Sequence, residues 1–85
     1  MVLRTTPDFR AYLARLPAYV QRLAHRNFQV LKEDPRYPSL QFKKVGPYWS
    51  VRVGRSYRAL AVQDGEDFIW VWIGSHEEYQ RLVSS

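Results

Sequence analysis

Arg52, Arg55 and Arg58 fall within seven residues of one another, in the stretch Trp49-Ser-Val-Arg-Val-Gly-Arg-Ser-Tyr-Arg58, with no carboxylate among them. A guanidinium is a planar fork that holds phosphate oxygens two at a time. Closely spaced like charges repel unless an anion lies between them, so a polyanion explains the arrangement better than stability does. The opposing reading pairs Arg52 and Arg58 with Asp or Glu from the C-terminal third. Lys43 and Lys44 come just before. They either extend the contact to a phosphate backbone or guard a sheet edge with charge. Near the C-terminus His76 follows Gly74-Ser75, and Tyr79 comes three residues later. An imidazole gives or takes a proton near neutral pH, and a tyrosine ring can stack on a base. The blander readings make His76 a hydrated residue at a helix start and Tyr79 a core anchor beside Leu82 and Val83. Glu77 and Glu78 are the carboxylates next to His76. Glu78 is spoken for by a helix cap, so a two-carboxylate hydrolase is not indicated.

These groups need a scaffold, and the hydrophobic pattern describes one. Met1–Thr5 is a short apolar start suited to an edge strand. Thr6-Pro7-Asp8 is a helix N-terminus with a capping hydroxyl, a proline in the first turn and an acid at the positive end of the dipole. Phe9, Tyr12, Leu13 and Leu16 share a helical face. Pro17 breaks that helix and starts another, whose stripe is Val20, Leu23, Ala24, Phe28 and Leu31. Residues 7–33 thus form a helical hairpin with one apolar side, ended by Asp34-Pro35. The period then changes from 3.6 to 2. Strands are expected at 40–45, 48–53, 57–62 and 68–73, with turns at Gly46-Pro47, Gly54-Arg55-Ser56 and Gln63–Glu66. The last strand is apolar on both faces and is expected at the sheet centre. Trp49, Trp70 and Trp72 read as core, with Trp70 and Trp72 alternating onto the same side. Ser75 and Glu78 form a capping box that starts a helix from His76 to about Val83.

The fold class is α+β: a short N-terminal strand, a helical hairpin, then an antiparallel sheet of three to four strands with a short C-terminal helix. One domain spans residues 1–85. Helices on one sheet face would leave the other free, carrying Ser50, Arg52, part of the 57–62 strand and one side of the last strand.

Charge is distributed unevenly. Residues 1–38 hold seven Lys/Arg and three Asp/Glu, residues 39–63 five and none, and residues 64–85 one and five. The middle third is therefore a concentrated positive field, suited to nucleic acid. The chain has no cysteine and two histidines. That excludes a disulfide framework and thiolate metal sites, and neither a metal nor another cofactor is expected. His25 reads as an exposed helix residue. The longest apolar run, Phe68–Ile73, has six residues, against roughly 20 for a membrane span. The N-terminus lacks the apolar core of a secretory leader. A cytoplasmic location without a membrane partner is expected.

The order Leu16-Pro17, Asp34-Pro35, Pro38-Ser39-Leu40, Trp49-Ser-Val-Arg-Val, Tyr57-Arg58-Ala-Leu and Trp72-Ile-Gly-Ser-His76-Glu-Glu-Tyr79 resembles the RelE/ParE superfamily of bacterial toxins over nearly the whole chain. The resemblance implies a RelE-like microbial RNase fold, a cognate antitoxin partner and possible higher-order toxin–antitoxin assembly. In the RelE branch it implies metal-independent cleavage of mRNA in the ribosomal A site by attack of a 2′-hydroxyl. Arg58 falls at the family's transition-state arginine, Arg52 at a basic residue of the preceding strand, His76 at a proton carrier and Tyr79 at a stacking or orienting tyrosine. Lys43, Lys44 and Arg55 would contact RNA. Ser50 stands where some members carry a lysine, which leaves the general base open. The ParE branch shares the fold but inhibits gyrase and lacks nuclease residues. A non-catalytic RNA- or protein-binding module is the alternative outside the family.

Overall fold

The computed structural model describes residues 2–84. The elements run β1 (Leu3–Thr5), α1 (Pro7–Ala14), α2 (Ala18–Glu33), a 3-10 turn (Pro38–Leu40), β2 (Lys43–Val45), β3 (Tyr48–Val53), β4 (Tyr57–Asp64), β5 (Asp67–Ser75) and α3 (His76–Ser84). Their limits follow from local chemistry. The Thr6 hydroxyl accepts the Phe9 N–H at 3.1 Å and caps α1. Pro17 separates the two helices, because it has no N–H to continue the first. At the start of α3, the Ser75 hydroxyl accepts the Glu78 N–H at 3.1 Å while the Glu78 carboxylate accepts the Ser75 N–H at 3.3 Å. That reciprocal pair is the capping box expected from the residue types.

The five strands lie in the order β1-β5-β4-β3-β2. β1 runs parallel to β5 and the other pairings are antiparallel. The sheet thus has one strand more than the expected three to four, because β1 joins it at the far edge. The centre is β4, not the last strand. β5 is still interior, flanked by β1 and β4, which explains why both its faces are apolar. β2 is shorter than the expected 40–45 strand. Leu40 belongs to the 3-10 turn, and Gln41 turns left-handed with φ 46° before the strand begins.

A second correction lies within β5. Leu60 pairs with Trp72 but Ala61 pairs with Trp70, so Val71 is an extra residue opposite the Leu60–Ala61 step. Such a bulge breaks the two-residue alternation. Trp70 and Trp72 therefore point to opposite faces rather than the same one. Trp70 enters the core, where its ring centroid is 5.0 Å from that of Phe28. Trp72 turns toward α3, in a hollow it shares with Glu78, Arg81 and Leu82.

The core fills the space between the sheet and the α1–α2 hairpin. Phe9, Val20, Ala24 and Leu31 from the helices meet Val51, Val53, Ala59, Ala61, Trp70 and Ile73 from the strands. Leu23 and Phe28 pack against this cluster, so the apolar stripe expected along α2 is the buried one. Gly54 closes the β3–β4 turn at φ 65°, a region open to glycine. A side chain there would also press on Leu23 Cδ1 at 3.1 Å. The opposite sheet face is not left free, because α3 lies across β4 and β5 and buries Tyr79.

Candidate functional site

The strand register places Arg52 and Arg58 directly opposite each other on β3 and β4, with Gly74 of β5 next in the row. Ser50, Leu60 and Trp72 form the adjacent row on the same face, continued by Lys43 of β2. This face looks away from the helical hairpin.

Arg58 is 8% exposed. Its Nη2 donates to Gln41 Oε1 at 2.8 Å, and its Nη1 is buried with no hydrogen-bond partner among the described residues. Its guanidinium carbon lies 5.2 Å from the centroid of the Tyr79 ring, within cation–π range. Tyr79 in turn stacks on His76, with centroids 5.8 Å apart and planes 22° from parallel. Three residues that the sequence separates by up to 21 positions thus make one continuous series, Arg58–Tyr79–His76. The helix makes half of it, because residues three apart share a face, and the β4–β5 register supplies the rest.

No carboxylate among the described residues pairs with Arg52 or Arg58. Among the described residues the ion pairs are Arg4 with Asp64 at 2.9 Å and Arg4 with Asp67 at 3.7 Å, at the end of the β4–β5 ladder away from Arg58. The pairing of Arg52 and Arg58 with acids of the C-terminal third is therefore not what the chain uses. A buried cation without a counter-ion is costly, and the Tyr79 ring and the Gln41 amide are the groups that meet it here.

The other candidates are placed as follows. Arg52 is half-buried, and its Nε donates to the Gly54 carbonyl at 2.9 Å, which folds the side chain over its own turn. Arg55 is exposed at the hairpin tip and lines a shallow cleft with Ser56, Ser75, His76 and Glu77. The cleft is closed from below by the His76 N–H, which donates to the Ser56 carbonyl at 2.8 Å. Lys43 and Lys44 are both exposed on edge strand β2. Lys43, opposite Ser50, shares the arginine face, and Lys44, opposite Trp49, faces the other way. Tyr79 is only 6% exposed, so its ring is engaged by Arg58 and His76 and anchors α3 as well. His76 is half-buried, with its Nε2 3.2 Å from the Gln80 amide nitrogen. His25 is exposed, as its sequence setting suggests.

Of two further members of this face, Ser50 is expected there from the sequence and Gln41 is not. Ser50 is fully buried and its hydroxyl has no hydrogen-bond partner among the described residues. Gln41 reaches Arg58 from a loop, and nothing in its residue type marks it. Among the described residues no cluster of His, Asp or Glu side chains is arranged to hold a metal ion, and no helix is long and apolar enough to cross a membrane.

Five strands with a helical hairpin on one face and a terminal helix on the other, around a buried arginine, define an α+β fold of the RelE type. The chain belongs to the ParE-like toxin domain family, whose model matches residues 18–81. No curated protein matches it in sequence. Among solved structures it is similar to a chain of the RelB–RelE antitoxin–toxin complex from Methanococcus jannaschii, with a TM-score of 0.73, 16% identity, and coverage of 93% of this chain and 96% of that one. It is also similar to the YoeB/ParE toxin from Agrobacterium tumefaciens, with a TM-score of 0.68, 16% identity, and coverage of 89% and 99%. The isolated E. coli RelE toxin gives a TM-score of 0.65 at 15% identity, with coverage of 98% and 95%. At such identities the likeness shows a common fold.

Proposed function

We propose that the protein is the toxin of a toxin–antitoxin pair and acts as a metal-independent endoribonuclease on mRNA in the ribosomal A site. The observation that carries this reading is the unpaired, buried Arg58 in contact with Tyr79, which is itself stacked on His76. In the proposed reaction the 2′-hydroxyl attacks the adjacent phosphate and loses its proton. The 5′-oxygen leaves and gains one. The products are a cyclic phosphate and a 5′-hydroxyl.

Arg58 would bind the phosphate oxygens whose charge grows in the transition state. It is already desolvated and fixed, so little reorganisation is needed at that moment. His76 would carry a proton, and the cleft it shares with Arg55 and Ser56 gives an approach to it. Tyr79 would hold Arg58 and His76 in register. Arg52, Arg55 and Lys43 would neutralise neighbouring phosphates on the same face, and Lys44, turned away, would add to the general field. A cognate antitoxin is the proposed protein partner. Structural neighbours include chains of RelB–RelE complexes, and a basic face without internal ion pairs suits an acidic segment.

A second reading is a gyrase-inhibiting toxin without nuclease activity. The ParE-like description of the matching family model favours it, as does the burial of Tyr79, which keeps its ring from a base. Two parallel assays separate the readings. The chain is expressed and mRNA 5′ ends are mapped on translating ribosomes, while purified protein is added to a gyrase supercoiling assay. New 5′-hydroxyl ends in coding regions with gyrase unaffected are the expected result. Intact mRNA with inhibited gyrase would sink the nuclease reading.

A further inference from the structure

The contact between Gln41 and Arg58 is made from an unusual position. Gln41 is the residue other than glycine with positive φ among the described residues, at 46°. A residue with a side chain adopts that conformation at a cost. It is held there from both sides. Leu40 before it is 1% exposed in the core, and Phe42 after it stacks on Trp49 with centroids 4.9 Å apart. The backbone N–H of Gln41 also donates to the Pro38 carbonyl at 3.2 Å. Two anchors and a closed turn therefore aim the amide of an otherwise exposed residue across β3 at the Arg58 guanidinium.

The chemistry of that amide matters as much as its direction. A glutamine oxygen satisfies Nη2 but adds no charge. A glutamate in its place would form an ion pair at the same 2.8 Å and neutralise the arginine. As built, one amino nitrogen is fixed by a neutral group and the other, Nη1, keeps its hydrogens unspent.

We propose that Gln41 is a positioning residue, which fixes the Arg58 guanidinium through a neutral amide and so reserves its full positive charge for an incoming phosphate group. This rests on the reading of Arg58 as the phosphate-binding residue. It adds a requirement that the orienting partner be uncharged.

The test follows the Arg58 Nε–Hε NMR resonance while inorganic phosphate is titrated into the full chain, with a thermal melt of each variant. Gln41 is exposed, so its substitution opens no hole in the core. In the native chain the resonance is expected to shift in a saturable way. In Gln41→Glu the fold and melting temperature are expected to be kept, while phosphate affinity falls on the order of tenfold or more from the added like charge. In Gln41→Gly, which suits the left-handed backbone, the melt is expected to hold or rise while affinity falls several-fold for want of the amide. A Gln41→Glu chain that binds phosphate as the native chain does overturns the role of Gln41 and leaves Arg58 standing. A native Arg58 resonance that ignores phosphate overturns both.

Discussion

Toward the helical hairpin the sheet presents Val51, Val53, Ala59, Ala61, Trp70 and Ile73, packed against Phe9, Val20, Ala24 and Leu31. On the opposite side the same strands present Ser50, Arg52, Arg58, Leu60 and Trp72. Both sides are largely buried, but only one is built for stability. The hairpin side is apolar, and among the described residues its one orphaned polar atom is the Trp70 indole nitrogen. The other side holds a buried hydroxyl and a buried guanidinium nitrogen without partners among the described residues, and a cation without a counter-ion among them. A chain selected for stability alone would replace such groups by apolar ones. Such groups are what the proposed phosphate-binding role of this face would require.

This contrast can be broken in four places. The largest effect is expected at Trp70→Ala, which empties the middle of the hairpin side. Urea unfolding should show a loss of about 3–5 kcal/mol; a loss under 1 kcal/mol would mean that this side is not the stabilising one. Next comes Arg58→Met. RNA cleavage should fall by about 10²–10³-fold, as when one preorganised charge donor is removed, and growth arrest should disappear. Stability should hold or rise by about 1 kcal/mol, because an unpaired buried charge is gone. A melt lowered as far as that of Trp70→Ala would erase the distinction between the faces.

Smaller changes sharpen it. Glu78→Ala removes half of the capping box and should loosen α3, costing about 1 kcal/mol. Because α3 carries both His76 and Tyr79, hydrogen exchange should rise there before it rises in β3 or β4. Uniform exchange across the molecule would show that α3 does not move as a separate unit. The smallest effect belongs to Ser50→Ala, which deletes a hydroxyl that has no partner among the described residues. The melt should stay within about 1 kcal/mol of the native chain or improve. A larger loss would mean that the hydroxyl is satisfied after all.

Much of the hairpin side was legible in the sequence, because its signals are local. Thr6-Pro7 and Pro17 bound the helices, the 3.6 spacing marks Phe9, Val20, Ala24 and Leu31, and alternation gives β3 its limits at Tyr48 and Val53. The Ser75–Glu78 box is equally local. The site was half legible. Arg58, His76 and Tyr79 stand out by type and by strand and helix spacing. What joins them to Gln41 does not, because that contact spans 17 residues and comes from a loop. The bulge at Val71 was hidden for a different reason. It lies inside Phe68–Ile73, where every residue is apolar, so a change of parity leaves no trace in the pattern. β1 was readable as a strand, but its partner was not, since three residues carry too little information to choose an edge.

That late partner has a consequence in time. Leu3 pairs with Phe68 and Thr5 with Trp70, a separation of some 65 residues. A chain that leaves the ribosome N-terminus first must keep its opening strand waiting until nearly all of the rest has emerged. The Arg58–Tyr79–His76 series is completed later still. Loops of that span close slowly, so the order of synthesis itself postpones the assembly of the arginine face until the last helix has been made.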